Sequence, residues 1–218
     1  MSEVSGIVLV DRDNKIMKEI DRWRVCQGKH IRELAGFDGQ RACDRRLRKL
    51  IDAGYVRREK ILYGVAGIYR VTAKASRVVA GGLPSVNHKI RVEQITHDIA
   101  VLDTAIFWNK KHDVEFREMQ TEIELHRLSG FGKRKHRPDF IYTKDGKTVC
   151  VEVELALKAR DRFETNILSN FQNYDTQIWV VPSLNTKIAK ILEQNKTACP
   201  NIEILELSEI QETENGKT

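Results

Sequence analysis

Apolar residues in the first third of the chain recur at helical spacing and then change to strand-like spacing. From Asp13 to Trp23 they return every three to four positions, which predicts a first helix with Asp13 as its N-cap. GKHIRELA (28–35) predicts a short second helix that ends at Gly36. YVRREKIL and IYRVT are rich in β-forming residues, and YGVAG between them supplies glycines for a turn. These two segments therefore predict a β-hairpin.

A third helix is predicted between the second helix and the hairpin, over GQRACDRRLRKLIDAG. Its apolar residues Cys43, Leu47, Leu50 and Ile51 share one face, and Gly54 provides the C-cap. The opposite face is basic and carries Gln40, Arg41, Arg45 and Arg48. After the hairpin, TAKASRVVA predicts a fourth helix.

The pattern changes after GGLPS (81–85), which has the composition of a linker. A long amphipathic helix is predicted from about 89 to 111 and is followed by the strand-like segment VEFREMQTEIEL. The segments PDFIYT and TVCVEVELA predict a hairpin, and helix, strand, helix and strand follow. The order αβββαβαβ predicts a mixed sheet flanked by helices. We therefore expect an α+β protein with domains at 1–82 and 83–207 and a disordered polar tail at 208–218.

Positive charge is concentrated in the first domain. Residues 1–82 contain 18 lysines and arginines against 10 acids, whereas the rest contains 19 against 21. This distribution favours a polyanionic partner. Four cysteines without CxxC spacing predict buried thiols rather than a zinc site or disulfides. No signal peptide or membrane-length apolar run is evident, so we expect a cytoplasmic protein with no membrane partner.

Three short helices, a basic third helix and a hairpin form the winged helix-turn-helix pattern, and RRLRKLIDAGYVRR resembles that family. The resemblance implies that the third helix enters the major groove of double-stranded DNA while the hairpin, as a wing, contacts phosphates. The predicted wing contacts are Arg57, Arg58 and Lys60. A solvated helix face and a protein-binding winged helix remain as alternatives.

The second hairpin places two acids opposite each other. With Asp145 and Gly146 as a type I′ turn, paired positions sum to 291, so Asp139 faces Glu152. Facing carboxylates repel unless something neutralises them, and oxygen ligands at this spacing suit Mg²⁺. Glu154 lies on the same face, opposite Arg137 as a local counter-ion. The alternative is that these acids point to solvent while the alternating valines face the core.

Pro138–Asp139 followed by Glu152 resembles the PD-(D/E)XK nuclease superfamily over residues 89–182, which implies a restriction-endonuclease-like α/β domain with an αβββαβ core. The resemblance implies that Asp139 and Glu152 bind Mg²⁺ or Mn²⁺, with Glu122 as an additional ligand. Glu154 occupies the position of the family lysine, so Glu154 or Lys158 would orient or deprotonate the attacking water.

The basic loop GKRKHR (132–137) precedes this motif, and its Lys133, Arg134 and Lys135 are predicted phosphate contacts, with a solvated loop as the alternative.

A winged helix joined to RPDF and VEVELALKARDRF resembles the replication-relaxation proteins, the MobC-like factors of plasmids and integrative elements. The resemblance implies binding at an origin of replication or transfer, association with plasmid or nucleoid DNA, and assistance to a relaxase or replication initiator. Three hypotheses follow: a non-cleaving accessory or regulatory factor at an origin or promoter, a Mg²⁺-dependent DNA endonuclease, and a homodimeric repressor.

Overall fold

The structure is a computed structural model that describes residues 7–61, 63–79, 91–129, 136–157 and 159–214. The chain divides into two compact units, residues 1–102 and 103–218. This division falls inside a long helix rather than at the predicted boundary between 82 and 83, and the segment GGLPS lies outside the described residues.

The first unit contains the helices and hairpin expected from the sequence, together with one additional short strand. In chain order its elements are α1 (Asp11–Trp23), β1 (Cys26–Gln27), α2 (Gly28–Ala35), α3 (Gln40–Asp52), β2 (Val56–Glu59), β3 (Ile68–Val71), α4 (Ala73–Val79) and the first half of α5 (Val92–His112). The strands form an antiparallel sheet in the order β1-β3-β2. The start of α1 differs from the expected one: Asp13 is the third helical residue, and its carboxylate accepts the N–H of Val10 at 2.8 Å.

The first half of α5 belongs to the first unit because its apolar side chains pack there. Ile95 and Ile99 contact Val25 and Ile68, and all but Ile99 are fully buried. An ion pair of 2.9 Å between the Arg24 guanidinium and Asp98 joins the same helix to the end of α1. A boundary predicted from glycine and proline content therefore missed the helix that completes this core.

The second unit is built on a five-stranded mixed sheet with the order β4-β5-β6-β7-β8. After the remainder of α5 it contains a 3₁₀ turn (Phe116–Glu118), β4 (Gln120–Thr121), α6 (Glu122–Ser129), β5 (Phe140–Lys144), β6 (Lys147–Val153), α7 (Arg160–Asn173), β7 (Thr176–Val181), α8 (Lys187–Asn195), β8 (Ile202–Glu206) and α9 (Leu207–Glu214). The pairs β4–β5 and β5–β6 are antiparallel, and β6–β7 and β7–β8 are parallel. The α+β class and the mixed sheet agree with the prediction.

The β5–β6 hairpin has the predicted register. Lys144 pairs with Lys147 and Phe140 with Val151, as expected for paired positions that sum to 291. Asp145 and Gly146 have φ values of 51° and 75°, the left-handed conformations that a type I′ turn requires.

Two segments differ from the expected secondary structure. Of the predicted strand VEFREMQTEIEL, only the two residues of β4 are extended in a sheet, and its last four residues begin α6. Glu124 Oε2 accepts the Thr121 N–H and Thr121 Oγ1 accepts the Glu124 N–H, which are the reciprocal bonds of a helix-starting capping box. The polar tail begins as α9, because Ile210 is fully buried and anchors it. The four cysteines are free and buried, as predicted.

Candidate functional site

The exposed face of α3 carries the strongest candidate binding surface. Arg41, Arg45 and Arg48 are all exposed, and the opposite face buries Cys43, Leu47 and Leu50 against the first unit. Within the described part of the chain, no hydrogen bond or ion pair engages any of these three guanidinium groups. We refer to Arg41, Arg45 and Arg48 as the basic face.

Other arginines of the first unit are used inside the fold. Arg46 forms a bidentate ion pair with the buried Asp13, and it also donates a hydrogen bond to the carbonyl of Val8. Arg22 pairs with Glu19 at 3.1 Å, and Arg24 pairs with Asp98. Burial alone would raise the pKa of Asp13. The hydrogen bonds from Arg46 and Val10 outweigh this effect, so the pKa of Asp13 is below that of an ordinary aspartate. Arginines with a structural role are thus distinct from the basic face.

The predicted wing contacts have different environments. Arg57 is half-buried with its Nε 2.6 Å from Glu59 Oε1, so its charge is largely neutralised. Arg58 is exposed, and its guanidinium lies over the Tyr69 ring at 5.9 Å. A Cβ at Gly67 would lie 2.8 Å from Arg58 Nε, so the glycine leaves room for this side chain. Lys60 is exposed. Of the three, Arg58 is the residue that packing orients.

Gln40 and Asp44 form a polar pair at the start of α3. Gln40 Nε2 donates to Asp44 Oδ1 at 2.8 Å. Burial raises the pKa of Tyr69, while the charge of Arg58 lowers it and that of Asp44 raises it, so both charges lie near this ring. Sequence reasoning identified Gln40 but not Asp44, although Asp44 is one turn from Arg41 and Arg48.

In the second unit, Asp139 and Glu152 come together as the register predicts. Asp139 directly precedes β5, and its Oδ2 accepts the N–H of Val153 at 2.8 Å. Glu152 is 8% exposed, so the alternative that it points to solvent is wrong. Its Oε1 lies 2.6 Å from His136 Nε2 and accepts from Asn170 Nδ2 at 2.9 Å. We call these four side chains the Glu152 cluster.

The neutralising partner of Glu152 is His136, which sequence reasoning did not identify. Burial raises the pKa of Glu152, and the charge of Asp139 raises it further. The hydrogen bonds from His136 and Asn170 lower it, but the net pKa stays above the ordinary value. Burial opposes the charged imidazole, yet the hydrogen bond to Glu152 raises the pKa of His136 above its ordinary value. The pair therefore holds a proton more tightly than a free imidazole does.

The other predicted site residues of this unit are not gathered in the Glu152 cluster. Glu154 follows β6, is half-exposed, and donates its N–H to the carbonyl of Val180 at 2.9 Å. Glu122 lies on α6 rather than on a strand; its N–H donates to the Asp139 carbonyl, but its carboxylate lies 3.6 Å from His126. Four predicted residues fall outside the described part of the chain: Lys133, Arg134, Lys135 and Lys158.

The Glu152 cluster does not fit the divalent cation that the nuclease resemblance implies. A hard cation is held by several oxygen ligands, and one oxygen of each carboxylate, Asp139 Oδ2 and Glu152 Oε1, already accepts an N–H group. Among the residues that the structure describes, no group of three or more histidine, cysteine, aspartate or glutamate side chains is placed to hold a metal ion. Inside the cluster, one oxygen of each carboxylate accepts a hydrogen bond, whereas the buried Asn170 Oδ1 has no hydrogen-bond partner among the described residues.

Comparison with known proteins gives no relative for this chain. No family model, curated protein or solved structure matches it. Within the described residues, no helix is long and apolar enough to span a membrane. The side chains of the basic face and of the Glu152 cluster are therefore the basis for assigning a function.

Proposed function

We propose that this protein binds double-stranded DNA sequence-specifically, with the first unit acting as a winged helix-turn-helix. In this assignment α3 is the recognition helix, and β2 and β3 form the wing. The observation that carries the proposal is the basic face: three exposed arginines on one side of α3 have no partner in the described part of the chain, whereas Arg22, Arg24 and Arg46 are paired.

The chemistry of the basic face suits the major groove. An α-helix fits this groove, which is about 12 Å wide, and an arginine can donate two hydrogen bonds to guanine O6 and N7. Arginines that carry no internal ion pair can meet bases or phosphates without breaking a contact of the folded protein. The basic face therefore combines attraction to the DNA backbone with the capacity for sequence readout.

Arg58 supports the wing assignment. It is exposed, packed over Tyr69 and accommodated by Gly67, so its orientation is restricted before any DNA arrives. A restricted cation loses less side-chain entropy on binding a phosphate than a free one. Arg58 and the exposed Lys60 are the wing contacts that this geometry favours, and Arg57 contributes less because Glu59 neutralises it.

For the second unit, we infer a nuclease-like domain that serves as a docking platform rather than as a catalyst. The observation that favours this role is that Asp139 Oδ2 and Glu152 Oε1 are already engaged by hydrogen bonds within the protein. The resemblance to replication-relaxation proteins supplies the setting: an accessory or regulatory factor at an origin or promoter of a mobile element, with a relaxase or replication initiator as partner.

The single variant Arg45→Ala tests the recognition helix. If Arg45 contacts a base, the variant should bind its DNA site about 1–3 kcal/mol more weakly and lose preference at one base pair. The measurement is fluorescence anisotropy with duplexes from the native locus and with random duplexes. Lys18→Ala is the matched control, because Lys18 is also exposed but lies on α1. Equal affinities of the Arg45→Ala variant and the unmodified protein would remove Arg45 from the interface.

A plasmid assay tests whether the second unit cleaves DNA. Because internal donors engage one oxygen of both Asp139 and Glu152, we expect a supercoiled plasmid carrying the native locus to stay intact with Mg²⁺, with Mn²⁺ and with EDTA. Agarose gels would detect nicked and linear products. Metal-dependent nicking that disappears in Asp139→Ala would contradict the docking role and establish the endonuclease alternative.

A further inference from the structure

Asp44 is an acid beside the basic face of α3, and a phosphate-binding role does not explain its position. Asp44 lies one turn from both Arg41 and Arg48, and it is exposed. A carboxylate in this position repels the DNA backbone and weakens sequence-independent binding. If the surface served only to attract phosphates, Asp44 would reduce its affinity.

Asp44 also does not serve to stabilise the helix through its arginine neighbours. Acids three or four residues from an arginine commonly form an ion pair on a helix surface. Within the described residues, Asp44 forms no such pair with Arg41, Arg45 or Arg48. Its Oδ1 instead accepts the Gln40 amide at 2.8 Å, and its Oδ2 has no hydrogen-bond partner in the described part of the chain.

The Gln40–Asp44 pair is held in place by its surroundings. A Cβ at Gly28 would lie 3.0 Å from Gln40 Nε2 and 3.8 Å from Asp44 Oδ1, so the start of α2 packs closely beside the pair. Tyr69, itself 7% exposed, lies on the same side of α3 and interacts with the charge of Asp44. The orientation of the carboxylate is therefore restricted, with one oxygen directed to Gln40 and the other available.

A carboxylate has only acceptors, so it discriminates among the edges of base pairs. In the major groove, guanine and thymine present acceptors to a protein, adenine presents the N7 acceptor beside its N6 amino donor, and cytosine presents only the N4 amino donor. A carboxylate beside an acceptor edge is repelled, and one beside cytosine N4 forms a charge-assisted hydrogen bond. Discrimination by repulsion requires the acid to be fixed, as the Gln40 contact fixes Asp44.

We propose that Asp44, oriented by Gln40, is a specificity-determining residue that accepts a hydrogen bond from the N4 amino group of a cytosine in the major groove. This inference rests on the proposed function, because it takes α3 as the recognition helix. The arginines supply affinity and guanine readout, and Asp44 rejects DNA that presents an acceptor at the corresponding position.

Selection from a random duplex pool tests the inference with the full-length chain. The unmodified protein should enrich a motif with a cytosine that becomes degenerate with Asp44→Ala. Asp44→Asn should accept adenine at that position, because asparagine can bond adenine N6 and N7 together. For the alanine variant, the ratio of specific to non-specific affinity should fall about 5- to 150-fold, while non-specific binding tightens.

Asp52→Ala is the matched control, because it removes an exposed acid from the end of the same helix. This control should leave the enriched motif and the affinity ratio unchanged. If the unmodified protein enriches a motif and both Asp44 variants enrich the same motif with the same cytosine, the role of Asp44 is overturned while DNA binding by α3 stands. If the unmodified protein enriches no motif, the proposed function itself is overturned. Thermal melts of both variants establish that each is folded.

Discussion

Replacing Arg41, Arg45 and Arg48 together by alanine is expected to weaken specific DNA binding about a thousandfold at physiological salt. The variant removes three cations that have no internal partner in the described chain, so the loss falls on the interface rather than on the fold. If all three contact or approach phosphates, the slope of log affinity against log salt should decrease by up to about three. Anisotropy titrations at several NaCl concentrations measure both quantities.

The control for this variant removes the same charge from elsewhere in the first unit. Lys15, Lys18 and Arg77 are exposed on α1 and α4, and their triple replacement by alanine has the same effect on net charge. We expect the control to bind within a few-fold of the unmodified protein. Equal weakening by the two triple variants would mean that binding is a diffuse effect of net charge, and α3 would lose its assignment as the recognition helix.

Replacing Arg46 by alanine is expected to reduce the free energy of unfolding of the first unit by about 3–5 kcal/mol. Asp13 has no exposed side-chain surface, and Arg46 supplies the charged partner that keeps it ionised inside the protein. Removing one member of such a pair leaves the other charge buried and uncompensated. Urea denaturation should show a lower midpoint. The neighbouring Arg45→Ala should change stability by only about 0.5 kcal/mol, because Arg45 is exposed and unpartnered in the described chain.

The pH dependence of the Arg46→Ala effect identifies Asp13 as its origin. In the unmodified protein the pKa of Asp13 is lowered in the folded state, so its contribution to stability is present above the unfolded pKa of about 4 and is lost as the pH falls through the folded value. Without Arg46, burial raises the pKa of Asp13, and protonation at low pH removes the buried negative charge. The stability difference between the two proteins should therefore narrow as the pH falls from about 6 to about 3. A pH-independent difference would contradict this explanation.

The features that sequence predicted well depend on residues close together in the chain. The two faces of α3 follow from helical periodicity, because Leu47 and Leu50 must lie opposite Arg41 and Arg48. The register of the β5–β6 hairpin follows from Asp145–Gly146, because a two-residue turn determines every pair that follows it. Neither inference needs information about distant parts of the chain.

The environment of Glu152 could not be obtained in this way. The alternation of residues along TVCVEV is consistent with a strand that has one face in the core and one face in solvent. In the structure, β6 is an interior strand that is paired on both edges, and Cys150, Val151 and Glu152 are all buried. The partners of Glu152 are His136 and Asn170, which lie 16 and 18 residues away in sequence. Their convergence depends on how β5, β6 and α7 pack, which periodicity does not encode.

The start of α6 is marked by a local sequence signal. The residues TEIE (121–124) have the spacing of a capping box, in which Thr121 and Glu124 satisfy the first N–H groups of a helix. The β-forming residues just before them favour a strand, whereas the capping spacing favours a helix that begins at Glu122. Glu122 therefore lies on a helix and not on the strand from which the nuclease resemblance implies an additional metal ligand.

The course of α5 has a practical consequence for dissecting the protein. A fragment ending at residue 82 would lack Ile95 and Ile99, exposing Val25 and Ile68 to water, and it would leave Arg24 without Asp98. Such a fragment lacks part of its own hydrophobic core. If it failed to bind DNA, the cause would be incomplete folding, and the result would not argue against α3 as the recognition helix. Since one continuous helix supplies residues to both cores, autonomous folding of the amino-terminal part requires a chain that extends through residue 102.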